Sequence, residues 1–417
     1  MINEKSLAAV RNARFSHNFC RPLYSNYCFS QIPASIISLL TGEGGGLPGD
    51  VYSNATGPYD HVILLFLDGF GWTFMEKYQS SLPFFRRLEK EGMASMLTSM
   101  FPSTTAAHVT CINTGLVPCQ SGLYEWFIYE PTLNDIIAPL PFCFAGEQKK
   151  DSLLKTSLSP EDLYPRHTLY QSLAEKGIQS TVFQPASILD STYSKSMLQG
   201  AKGIGYDNIE TGLKSLLPTL QGKTYSMFYF PDIDSVGHRE GVHSEAFGKT
   251  IERAFTAIES IYSEIPGKTA LMITADHGMT SVSPQRTFYI NKKIPNIEKY
   301  FLFGNREKPL APAGSCRDLF LHLSEDRIKE AKEMLEHFLK GIAEVHFTKD
   351  LIEEGLFGNV RPAERFLNRV GNLVILPYKD EAVWWWEKNR FQQNFYAAHG
   401  GLTREEMEIP FLFFPIN

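Results

Sequence analysis

Two adjacent threonines, Thr104 and Thr105, follow Pro102 and Ser103 in the stretch FPSTTAAHVTCINTG at residues 101–115. An aliphatic hydroxyl is a poor nucleophile at neutral pH unless a base or a cation eases the loss of its proton. Elsewhere the chain carries groups suited to that task. Asp68 is followed by Gly-Phe-Gly, Asp234 stands four residues before His238, Asp276 and His277 are neighbours, and His399 precedes two glycines. Each has an ordinary alternative. A strand-end aspartate is more often a turn former or helix cap, and a lone histidine before glycines is more often structural. Together, three aspartates, three histidines and a hydroxyl make a donor set for two divalent cations. Carboxylate and imidazole suit zinc or manganese better than calcium, and no thiolate stands among them. A cation on a threonine oxygen would stabilise the alkoxide, and a second would hold the leaving oxygen of an in-line displacement at phosphorus. An acyl-transfer triad accounts for these residues less well, because no Gly-x-Ser-x-Gly elbow is present. A haloacid-dehalogenase-type phosphatase needs Asp-x-Asp after its strand, and Phe70 occupies the third position.

These donors follow short apolar runs. HVILLFL at 61–67 ends at Asp68, YSMFYF at 225–230 precedes Asp232 and Asp234, and TALMIT at 269–274 precedes Asp276. Further runs lie at 180–186 and 372–378. Continuous runs of this length predict parallel strands buried on both faces. Helical stretches at 82–92, 169–177 and 245–265 alternate with them, which predicts an α/β fold with a central, mostly parallel sheet flanked by helices on both faces. In such sheets ligands bind beyond the carboxyl ends of the strands, which is where the donors fall. Residues 1–57 read as an N-terminal lead-in with a glycine-rich loop near its end. Residues 58–290 and 366–417 read as the catalytic core, and 291–365 as a smaller α+β insertion with a strand at 317–323 and a helix at 325–342.

The 417-residue chain has a formal net charge of −6 and no long basic run, which argues against nucleic acid or an anionic membrane surface as its partner. No uninterrupted apolar stretch of membrane-spanning length occurs, and the N-terminus has no signal-type apolar run, so the expectation is a cytoplasmic protein. Six cysteines (Cys20, Cys28, Cys111, Cys119, Cys143 and Cys316) form no Cys-x-x-Cys pair and are expected as reduced thiols. Nothing in the sequence speaks to oligomeric state.

The motifs resemble the alkaline phosphatase superfamily, in its type I phosphodiesterase / nucleotide pyrophosphatase branch. The stretches that carry the resemblance are ILLFLDGFGW, MFPSTTAAHVTCINTGLVPCQSGL, YFPDIDSVGHREG, LMITADHGM and AAHGGLTREEMEIPFL, in the family's order over residues 62–411. The resemblance implies an alkaline-phosphatase-like fold and metal-dependent hydrolysis of a phosphodiester or pyrophosphate bond in a small phosphate ester or nucleotide. It places Thr105 on the family's nucleophile, which forms a covalent phospho-enzyme. It also places Asp68, Thr105, Asp276 and His277 on one metal, and Asp234, His238 and His399 on the other. The two divalent ions are expected to be Zn2+, with Mn2+ as the alternative. Thr104 becomes a supporting residue and Asp232 a neighbour of the site.

One departure concerns His108, which stands where the family places an asparagine that donates to phosphate. A histidine there would bind a phosphate oxygen or, if protonated, add positive charge; the ordinary alternative is a satisfied helix histidine with no substrate contact. Added charge would suit a phosphomonoesterase or phosphonate hydrolase, the nearest alternatives within the fold. Tyr124 and Trp126, with Phe127 and Tyr129 in LYEWFIYE, are expected at the substrate, stacking on a base or another flat leaving group, with packing of this aromatic loop against the insertion as an equal alternative. Arg317 has two open roles, a contact to phosphate or carboxylate and a surface ion pair. A chain that holds metals and binds a phosphorylated ligand without turnover is the alternative of a different class.

Overall fold

The computed structural model describes residues 1–52 and 57–417; residues 53–56 of the expected lead-in lie outside the described residues. A seven-stranded sheet runs through the middle, in the spatial order Met93–Thr98, Glu408–Ile416, Thr269–Thr274, His61–Leu67, Thr224–Phe230, Gln179–Pro185 and Ala201–Tyr206. Every residue of His61–Leu67 and of Thr269–Thr274 is buried, as a strand covered on both faces requires. Neighbouring pairs are parallel except for Glu408–Ile416, which runs antiparallel to both of its neighbours. Register matters most at the centre. Leu67 pairs with Phe230 and Phe66 with Thr274, so three adjacent strands end at one level and deliver Asp68, Asp234 and Asp276 to the same edge. The reversed strand starts at that edge, which brings the residues before it, His399 among them, to the same place.

Helices cover the sheet for ordinary amphipathic reasons. In Glu245–Tyr262 the buried residues Phe247, Ile251, Ala254, Phe255, Ile258 and Ile261 recur at three- and four-residue spacing. Ser244 caps that helix by accepting from the Phe247 N–H at 3.2 Å. The lead-in is integral to the core. Asn3 N–H donates to the Ala94 carbonyl and Thr98 N–H to the Tyr27 carbonyl, both at 2.8 Å, so the lead-in covers what would be an open sheet edge at Met93–Thr98.

Two expectations change. The run at 372–378 was expected in the parallel sheet, but Leu373–Pro377 lies in a separate four-stranded antiparallel sheet between Asp318–Leu321 and Ala343–Phe347. All five of its residues are buried, and an apolar run buried on both faces carries no signal of strand direction. The smaller sheet therefore draws one strand from beyond residue 365. The second change is three strands of the central sheet that the sequence does not announce. Ala201–Tyr206 is a glycine-bearing edge strand, Met93–Thr98 is poor in β-branched residues, and Glu408–Ile416 contains Pro410 and Pro415, which argue against a central strand.

Among the described residues, no helix is long and apolar enough to cross a membrane. All six cysteines are buried and free.

Candidate metal centre and substrate clefts

Thr105 is the first residue of the helix Thr105–Thr114, so its hydroxyl stands beside first-turn N–H groups that have no partner within the helix. Thr104 is buried, whereas Thr105 is only half-buried and opens towards the strand ends. Thr105 Oγ1 lies 3.4 Å from both carboxylate oxygens of Asp68 and 3.2 Å from His277 Nε2. Two donor groups flank it. Asp68, Asp276 and His277 form a fully buried one, and Asp234, His238 and His399 form a second with more access to solvent.

The hydrogen bonds around these side chains decide what the groups can hold. His277 Nδ1 lies 3.0 Å from the Gly278 carbonyl, His238 Nδ1 lies 2.8 Å from the Ala397 carbonyl, and His399 Nδ1 lies 3.0 Å from the Ser103 carbonyl. A carbonyl only accepts, so each Nδ1 carries the proton and each Nε2 presents a lone pair. Those lone pairs face carboxylate oxygens. His277 Nε2 is 3.3 Å from Asp276 Oδ2, and His238 and His399 Nε2 are 3.3 and 3.4 Å from Asp234 Oδ1. Asp276 Oδ2 and Asp234 Oδ1 are buried and accept no hydrogen bond. Lone pair against lone pair at this distance is repulsive without a positive charge between them, so the donor set fits one divalent cation in each group.

Electrostatics agrees. Burial, reinforced by the Asp276 and Asp234 charges, pushes the Asp68 carboxyl well above the usual range. Asp276 is raised to about 7, by burial first and also by Asp234. Burial, with His399 and His108 close by, holds the His277 imidazolium far below its ordinary value. Without a cation, the site disfavours the charged form of its own ligands.

Main-chain contacts fix the spacing. Gly69 has φ +76°, and a Cβ built there would meet Asp234 Cα and Cβ at 3.0 Å. The turn it allows lets Gly69 N–H donate to Asp276 Oδ1 at 3.1 Å. The loops after Asp68 and Asp276 touch directly, since a Cβ on Gly71 would sit 2.6 Å from Gly278 Cα.

Three expected substrate contacts need correction or restriction. His108 does not face the site: its ring is fully buried, Nδ1 donates to the Thr104 carbonyl at 2.7 Å, and Nε2 accepts from Met100 N–H at 3.0 Å. Burial lowers its pKa to about 3, so it is a neutral brace that pins the Ser99–Thr104 loop to the helix carrying Thr105. Tyr124 is also wholly buried, donating to the Arg369 carbonyl at 3.1 Å and packing edge-on against Phe320 and Phe366. It stacks on nothing from outside. Trp126 is 42% exposed and does reach the site. Arg317 neither touches the site nor forms a surface pair. It is fully buried, and its Nε and Nη2 donate to the two Glu406 carboxylate oxygens, each at 3.0 Å. Asp232 is exposed and belongs to neither donor group.

Two clefts meet at Thr105 and Asp234. One, of about 380 Å³, is walled by Trp126, Phe127, Trp384, Phe391 and Phe395 and includes His238 and His399. The other, of about 470 Å³, is lined by Asp68, Tyr229, Asn113, Gln184, Tyr193 and Lys150 among others. Trp126 borders both and stands between them. The Tyr229 hydroxyl donates to Asp68 Oδ2 and so orients that carboxylate. Strand alternation around YSMFYF was the available signal for Tyr229. Nothing in the sequence marked Phe391 or Phe395, which arrive from a long loop.

The family described as Type I phosphodiesterase / nucleotide pyrophosphatase matches residues 62–401. Ectonucleotide pyrophosphatase/phosphodiesterase family member 3 of Rattus norvegicus is 22% identical over 66% of this chain and 31% of its own length. Venom phosphodiesterase CdcPDE of Crotalus durissus collilineatus is 23% identical over 64% of this chain and 32% of its own. The chain thus spans about a third of the length of these curated relatives. Murine ectonucleotide pyrophosphatase / phosphodiesterase 5 shares the fold with a TM-score of 0.62 at 16% identity, covering 85% of this chain and 87% of that one. Phosphonoacetate hydrolase from Sinorhizobium meliloti 1021 does so with a TM-score of 0.60 at 14% identity, over 84% and 89% of the two chains.

Proposed function

The chain belongs to the type I phosphodiesterase / nucleotide pyrophosphatase family, and from that premise we propose that it hydrolyses a diester-type phosphorus bond in a small molecule, with Thr105 as nucleophile. The observation that carries this reading is the pair of clefts converging on Thr105. A phosphodiester has two organic arms, and the site has two separate places for them.

Asp68, Thr105, Asp276 and His277 would hold one divalent cation, and Asp234, His238 and His399 the other. When bound, the two cations, zinc on donor chemistry or manganese, supply Lewis acidity that lowers the hydroxyl pKa and offsets charge on the phosphate oxygens. Thr105 Oγ1 attacks phosphorus as the bond to the leaving oxygen breaks, giving a phosphothreonine that still bears the other arm. Asp68, 3.4 Å from Oγ1, offers an acceptor for the hydroxyl proton. Tyr229 keeps that carboxylate turned towards the nucleophile. First-turn N–H groups of the Thr105–Thr114 helix favour the transferred anion. Water then cleaves the phosphothreonine and restores the hydroxyl.

The phosphomonoesterase reading depended on His108 as an extra cation, and a buried neutral ring does not supply one. The deciding measurement is turnover of the metal-loaded protein on thymidine 5′-(p-nitrophenyl phosphate) and on p-nitrophenyl phosphate. The expected result is strong preference for the diester. Preference for the monoester would reject the reading.

A further inference from the structure

The aromatic cleft has a definite place in the displacement. An in-line attack sends the leaving oxygen away from the side of the nucleophile. Thr105 Oγ1 sits against Asp68 and His277, so the leaving oxygen departs towards Asp234, His238 and His399. His238 and His399 line the aromatic cleft and not the polar one, whereas Asp68 lines only the polar one. The aromatic cleft is therefore the leaving-arm side, and the polar cleft takes the arm that stays on phosphorus.

The chemistry of its walls restricts that arm. Phe127 stacks near Trp384, with centroids 6.3 Å apart at 23°, and meets Phe391 edge-on at 5.8 Å. Phe395, 46% exposed, lies 4.4 Å from the His238 ring. Among the described residues lining the cleft, Arg390 is the sole Lys or Arg, and it is already engaged. Its guanidinium donates to the Ala145 carbonyl at 2.8 Å and to Glu387 at 3.2 Å. Gln393 Nε2 donates to the Phe395 carbonyl, and Ser315 Oγ to Asp318. Acidic groups stand here instead. Glu125 lines the cleft with Oε1 buried and unpartnered, and Asp318 beside it keeps Oδ2 in the same condition. Beyond the cation that Asp234, His238 and His399 would hold, a pyrophosphate arm entering this space would lose its water and find no unengaged Lys or Arg to offset its remaining charge.

We infer that the aromatic cleft is a leaving-arm site selecting a flat, apolar organic alcohol, and that it discriminates against phosphoanhydrides. This rests on the diesterase reading above. It makes the chain a phosphodiesterase for aryl-like or heteroaromatic leaving arms rather than a nucleoside triphosphate pyrophosphatase. The reaction balances with water as the second reactant: the phosphorus–oxygen bond breaks, the alcohol departs with one proton, and the thymidylyl-type arm leaves later as the monoester.

The test uses the metal-loaded full chain and two substrates with one transferred arm, thymidine 5′-(phenyl phosphate) and dTTP, whose phenol and pyrophosphate leave with comparable ease. Wild-type kcat/KM should favour the phenyl ester by at least about tenfold, the size expected for one well-buried aromatic ring. Phe395→Ala should narrow that ratio severalfold, and Phe395→Arg should shift it further in the same direction, towards dTTP. Because only the ratio is read, any common effect through His238 cancels. Equal wild-type rates, or a ratio unmoved by both variants, would overturn the inference and leave the diesterase reading standing. Cleavage of neither substrate, with phenyl phosphate or phosphonoacetate turned over instead, would overturn both.

Discussion

Two of the buried charged clusters in this fold, one around Arg317 and Glu406 and one around Asp68, Asp234 and Asp276, are built on opposite principles. Around Arg317 and Glu406 the charges cancel and the donors are used: the guanidinium pairs twice with Glu406 and donates to the carbonyls of Pro377 and Tyr378, while Glu406 also accepts from Gly401 and Thr403. Around Asp68, Asp234 and Asp276 nothing cancels. Carboxylate oxygens lie buried without donors, and imidazole lone pairs are aimed at them. A fully satisfied buried network specifies architecture. A cluster that is incomplete in the same interior, with its histidine tautomers already fixed for ligation, is built to be completed by something else.

The largest expected effect separates the hydroxyl from the charges that surround it. Thr105→Ala should lower kcat by at least about 10³-fold, while metal analysis still finds both ions on the protein. Near-normal turnover would remove Thr105 from the chemistry. Next comes the satisfied cluster. Arg317→Met strands the Glu406 carboxylate in the interior and should cost about 3–5 kcal/mol in urea unfolding, yet the double variant Arg317→Met/Glu406→Leu should regain most of that loss. A double variant as unstable as the single one would break the contrast between the two clusters.

A smaller effect is expected at His108. His108→Ala leaves Met100 N–H without its acceptor and the Thr104 carbonyl with only the backbone N–H of residue 108, and should cost about 1–3 kcal/mol of stability, with KM changed less than about threefold. A large rise in KM without loss of stability would return His108 to the substrate. The mildest is a pH effect on the metal-free protein. Asp276, whose pKa is raised to about 7 in the fold from an ordinary 3.8, favours folding while protonated. That contribution is intact below about 3.8 and is lost progressively as pH rises towards about 7, so the metal-free melting temperature should fall across that interval. Adding zinc should restore it, and a metal-free melting temperature that climbs over the same interval would contradict the electrostatic account.

What the sequence made legible follows from chain geometry. The Asp68, Asp234 and Asp276 runs were readable because each donor lies within four residues of the end of an apolar strand, so strand ends and ligand positions are one signal. Trp126 was readable by its proximity to Thr105. His108 and Tyr124 were misplaced for a common reason: in the first turn of a helix, or two residues before an exposed tryptophan, the side chain can point either into the core or out of it, and only packing decides. Arg317 was misread because its partner, Glu406, is 89 residues away. Strand direction at 372–378 and the aromatic loop at 384–395 are likewise set by long-range pairing that local pattern does not encode.

The contact between Gly71 and Gly278 has a consequence for anyone who would re-engineer the site. The loops bearing Asp68 and Asp276 rest main chain on main chain, and behind Gly278 the Glu405 carbonyl would stand 2.1 Å from any added Cβ. There is no side chain in this seam to trim or enlarge, so the bite of the inner donor set has a hard mechanical stop. Adapting it to a larger ion would mean moving whole turns of main chain, whereas the outer set, held by side chains on a helix and a loop, can be retuned one residue at a time.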